Sequence, residues 1–144
     1  MNEMRIYYVF DIRDEYISLY NNYPSSLYNV LYQLYYLRKK DLEYGFNMFK
    51  QLTNRIDDEK LDQDIFLKLH NKMTYAKKGK NHIINNLYKD EISVLKVKKS
   101  YILINCNKNY TEFFNVLAHE NKNYFVCDFI NNDYFFLMDI KILV

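Results

Sequence analysis

The chain has 144 residues, 49% of them hydrophobic and 26% charged, and a net charge of +2. A chain of this length buries roughly 70% of the surface it exposes when unfolded, so we read residues 1–144 as one domain with its own core. Two Gly exclude Gly-rich phosphate loops and collagen, two Cys exclude a disulfide framework or a Cys-built zinc site, and the apolar content argues against disorder.

Arg5–Ile12 is β-branched and aromatic and apolar on both faces through Phe10, which predicts a strand inside a sheet. Asp14 and Glu15 place acid in the first turn of a following helix, where Tyr16, Leu19, Tyr20 and Tyr23 recur at helical spacing. Pro24 breaks that helix, and Ser25 or Ser26 is suited to cap the next. Leu27, Val30, Leu31, Leu34 and Leu37 mark the second helix, with Arg38-Lys39-Lys40 suited to its C-terminus. Asp41 opens a third, striped by Leu42, Phe46, Phe49 and Leu52. Asp57, Asp58 and Glu59 open a fourth, with Leu61, Ile65, Leu69 and Met73 inward. In the segment Thr74–Asp90, Ile83, Ile84, Leu87 and Tyr88 suit a short helix better than a strand. Strands then follow from Glu91 and over Tyr101–Cys106. Thr111 caps a helix running to His119, and strands at Tyr124–Phe129 and Tyr134–Met138 close the chain. The order β, four helices, β, β, α, β, β predicts an α+β domain. Its sheet is expected to be mixed and about five-stranded, with a helical insert after the first strand and one further helix between the C-terminal strands.

Charge is uneven along the chain. Residues 1–66 carry −3, residues 67–108 carry +8 and residues 109–144 carry −3. The basic block, with Lys77, Lys78 and Lys80 at its densest, could neutralise phosphates, which makes a nucleic-acid-associated protein using the Lys-rich segment 68–99 the alternative reading. Lysine also solvates loops and guards strand edges. The block has no Arg for base readout, which argues against sequence-specific recognition.

Chemistry-bearing residues are few. His70, His82 and His119 lie in no metal-binding motif, and Cys106 and Cys127 fall in apolar strands as small hydrophobes. The carboxylates from Asp57 to Asp64 suit helix capping and lack the Gly of a calcium loop. With no nucleophile elbow or phosphate loop, the expectation is no enzyme, no cofactor and no metal. No apolar run reaches the ~20 residues that span a bilayer, and the N-terminus is too soon charged for a signal peptide. The expected location is cytoplasmic, with no membrane partner.

The favoured residues Asn, Lys, Tyr, Ile and Phe have A/T-rich codons, so most of the sixteen Tyr read as codon bias. The Tyr16/Tyr20 stripe is the exception. It either presents an amphipathic patch to a partner or faces the sheet with its hydroxyls in water.

Tyr7 to Tyr16 form a Tyr-Tyr-led strand running into an acidic turn and an aromatic residue, followed by Tyr20. Phe113-Phe114-Asn115-Val116-Leu117 precede Tyr124-Phe125-Val126-Cys127-Asp128-Phe129, then Tyr134 and Leu137. In order and spacing these segments resemble the SirA family of sporulation inhibitors of replication. The resemblance implies a non-enzymatic inhibitor that binds the N-terminal domain of the initiator DnaA and blocks replication as spore formation begins. It places the contact surface on Tyr16 and Tyr20, with Met48 and Gln51 on a neighbouring helix. It also implies a polar side chain at position 48, from which Met48 departs.

Overall fold

The computed structural model describes residues 4–37 and 41–140; the Arg38-Lys39-Lys40 expected at a helix end lie outside the described residues. Strand β1 (Arg5–Asp11) is followed by helices α1 (Asp14–Tyr20), α2 (Pro24–Tyr35), α3 (Leu42–Leu52) and α4 (Asp58–Leu69). Strands β2 (Tyr75–Lys78), β3 (Asn81–Asn86), β4 (Glu91–Val97) and β5 (Ile102–Cys106) come next, then α5 (Glu112–Ala118), β6 (Tyr124–Asp128) and β7 (Asp133–Phe136).

The strands form one seven-stranded sheet in the order β2-β3-β4-β5-β1-β6-β7, and every neighbouring pair is antiparallel. This corrects the expectation of a mixed, five-stranded sheet. The two extra strands are the β2–β3 hairpin, which occupies the segment expected to hold a short helix. Gly79 turns it with φ +59, a conformation open to a residue without Cβ. His82 and Ile84 point inward while Ile83 faces the opposite side, so the adjacent Ile pair straddles the sheet and does not stripe a helix. Leu87 and Tyr88 lie exposed in the following turn. Met73, expected inward, is fully exposed because α4 ends at Leu69.

β1 lies between β5 and β6, which is why both of its faces are apolar. Tyr7 and Val9 enter a core that α4 and α5 cover with Leu61, Ile65, Leu69, Phe113, Phe114 and Leu117. Phe10 and Ile12 enter a second core with Leu27, Tyr28 and Leu31 of α2 and Leu52 of α3. The sheet is thus packed by helices on both faces.

The helix starts have local causes. Asp57 and Thr111 cap α4 and α5, accepting from the backbone N–H of Lys60 (3.3 Å) and Phe113 (3.2 Å). Pro24 is the first helical residue of α2, where its missing N–H costs nothing, so neither Ser25 nor Ser26 is the cap. Leu137–Asp139 form a 3-10 turn in place of the expected end of the last strand.

Candidate partner-binding surface

Helix α1 is seven residues long and buries none of them completely. So short a helix is not stable through its own hydrogen bonds. It is held at its start by the rest of the fold. Ile12 bridges Thr53, the Arg13 N–H donates to Leu52 O (3.0 Å) and Arg13 Nε donates to Thr53 O (3.1 Å). Asn123 Nδ2 donates to Ile12 O (3.2 Å) and to Asp14 Oδ1 (2.5 Å). The first turn of α1 is thereby fastened to the last turn of α3 and to the start of β6.

The tyrosine stripe is partly seated on the fold. Tyr16, Ile17 and Tyr20 are half-buried against the second core, while Leu19 and Tyr23 stand exposed. The Tyr16 and Tyr20 rings stack at 6.5 Å between centroids, 28° from parallel. Each ring is part covered by the core and part exposed, a setting suited to rigid amphipathic contact.

Met48 and Gln51 are exposed on α3, Met48 flanking the face that buries Gly45 and Leu52 and Gln51 further towards solvent. The end of α3 is bonded to the residues that lead into α1, so the two helices meet at one corner of the molecule. Tyr44, 68% exposed, shares their face of α3. Sequence reasoning passed over it, although Tyr44, Met48 and Gln51 follow helical spacing.

The lysines of the alternative reading lie elsewhere. Lys77 and Lys78 are exposed on β2, an edge strand of the sheet, and Lys80 is in its turn with Gly79. Charged side chains at that position discourage pairing with another chain.

The three histidines have structural partners. His119 Nδ1 bonds Asn115 O (2.6 Å) at the end of α5. His82 is fully buried. Its Nε2 meets Asp62 Oδ1 at 2.7 Å and its Nδ1 meets Tyr75 OH at 2.8 Å. A neutral ring satisfies both, Nε2–H donating to Asp62 and Nδ1 accepting from Tyr75. Burial pushes the His82 pKa below its ordinary 6.5, and the nearby Lys77 adds to this; Asp62 pulls the other way without prevailing. The unfolded chain therefore binds a proton that the folded chain resists. Folding stability is expected to fall as pH drops from about 7 towards 5, and His82→Phe should flatten that part of the profile in urea titrations. A slope unchanged by the substitution would contradict this.

Burial raises the thiol pKa of both cysteines, so neither is an activated nucleophile. Among the described residues, no group of three or more His, Cys, Asp or Glu gathers to hold a metal ion.

The family model described as sporulation inhibitor of replication protein SirA matches residues 5–141, nearly the whole chain. The chain belongs to the SirA family. Its members carry the name of a replication inhibitor acting in sporulation, a role that works through a protein partner. The match spans both the α1–α3 corner and the β2–β3 hairpin. No curated protein matches the chain. Among the described residues, no helix is long and apolar enough to cross a membrane.

Proposed function

We propose that this SirA-family protein is a non-enzymatic inhibitor of replication initiation that binds the N-terminal domain of DnaA through its α1–α3 corner. The observation that carries the proposal is the stacked, half-seated Tyr16/Tyr20 pair on a helix anchored to α3. A few aromatic anchors at the centre of a small interface supply most of its affinity. Their seating on the core limits the side-chain entropy lost on binding. Met48 and Gln51, with Tyr44, extend the contact from α3. Met48 gives this part of the surface an apolar, adaptable thioether where the family resemblance implies a polar group. Occupying the initiator's N-terminal domain would block the self-assembly or loader contacts that depend on it.

The test is a titration of the source organism's DnaA N-terminal domain with the full chain. A saturable complex of one-to-one stoichiometry is expected. An absence of binding at micromolar concentrations of both proteins would overturn the proposal.

A further inference from the structure

Two cavities meet behind α3. One, of about 330 Å³, lies between α2, α3 and the sheet, and its walls include Tyr8, Phe10, Leu31, Leu34 and Leu42. The other, of about 390 Å³, is bordered by Arg13, Lys50, Arg55 and Lys99, with Asn54 and Thr53. Phe46, Phe49 and Ser100 line both, so the two form one cleft with an apolar half and a cationic half.

Neither half has an Asp or Glu among its described lining residues. None of the four cations forms an ion pair with a described residue. Lys50 Nζ sits 4.4 Å above the Phe46 ring, at the boundary between the halves. The bond from Arg13 Nε to Thr53 O fixes that guanidinium at the wall. Tyr35, Leu42 and Phe46 are each about half exposed on the apolar side.

This cluster of cations lies within a stretch of the chain whose net charge is negative, apart from Lys99. Like charges gathered along a wall with no carboxylate in its described lining favour an anion. An apolar cavity beside them favours an alkyl chain, and each half falls within the roughly 300–1,000 Å³ of small-molecule pockets.

We propose that the cleft binds an amphipathic carboxylate of medium alkyl length. The alkyl chain fills the apolar half and the carboxylate sits among Arg13, Lys50, Arg55 and Lys99. The proposal does not rest on the reading of the α1–α3 corner, because it uses the side of α3 that carries Phe46 and Phe49.

The test is a titration of the isotope-labelled full chain with decanoate, below its aggregation concentration and at low salt, followed by amide chemical shifts. Saturable shifts are expected at Gly45, Phe46, Phe49 and Ser100, and none at the β2–β3 hairpin. Acetate, which lacks the chain, should produce no saturable shift. The double substitution Arg55→Gln/Lys99→Gln, at two exposed positions, should weaken decanoate binding roughly tenfold and leave decanol binding unchanged. Should that variant unfold, raising the salt concentration on the unaltered protein provides the same discrimination, weakening decanoate but not decanol. Decanoate shifts that match those of acetate, fail to saturate, or resist both charge removal and salt would overturn the proposal.

Discussion

Replacing Tyr16 and Tyr20 together with alanine is expected to abolish binding to the DnaA N-terminal domain while leaving the protein folded. Anchor residues of this kind contribute about 2 kcal/mol or more each, so the pair should weaken the complex by roughly a thousandfold. The folded state loses less. Both rings are half-buried and contribute one face to the second core, so truncating both should cost about 1–3 kcal/mol of stability. The two effects separate in a titration paired with a thermal melt. Lost binding with a modestly lowered midpoint supports an interface. A collapsed fold would mean that the stripe is core, and unchanged binding would move the interface elsewhere.

Asp128→Ala should do the opposite, destabilising the protein without touching the partner surface. The Asp128 side chain is fully buried and pairs with Arg5 Nε at 2.9 Å. Its Oδ1 accepts from the N–H groups of Ile130 and Asn131, both at 3.1 Å, and its Oδ2 accepts from Asn131 Nδ2 at 2.8 Å. One carboxylate thus joins the start of β1 to the end of β6 and shapes the turn into β7. Removing it takes the buried partner from the Arg5 guanidinium, which keeps Asn109 and Asp133, and strands two backbone donors, at a cost of about 3 kcal/mol. Asp128→Asn keeps part of the turn and should cost less. Arg5 lies at the end of β1 away from α1, so the fraction that stays folded should bind DnaA normally. Urea unfolding measures the loss, and a change under about 1 kcal/mol would contradict this account of the network.

The Asp-Phe pair in the resemblance thereby acquires a physical reason. Asp128 closes a buried network, and Phe129 stacks on Tyr35 (4.6 Å between centroids) beneath α2. Other features were readable for equally local reasons. Apolar stripes mark the helices because one face meets the sheet, and β1 is apolar on both faces because it is central. The β2–β3 hairpin was not readable, since its inward residues include His82. Burial of that polar ring depends on Asp62 and Tyr75, and no local pattern announces partners supplied by another helix and strand. The tyrosine stripe shows a second limit. Periodicity places Tyr16 and Tyr20 on one face of α1, but only the packing shows that this face is half seated. The cationic cleft was hidden for a third reason. Arg13, Lys50, Arg55 and Lys99 come from separate elements, three of them inside a block of net negative charge, and folding alone gathers them.

Backbone amide exchange on the full chain, with and without the DnaA N-terminal domain, tests the central claim most directly. The account predicts new protection over residues 13–23 and 44–51 and unchanged exchange in the β2–β3 hairpin. Protection centred on Lys77, Lys78 and Lys80, or none at all, would contradict it.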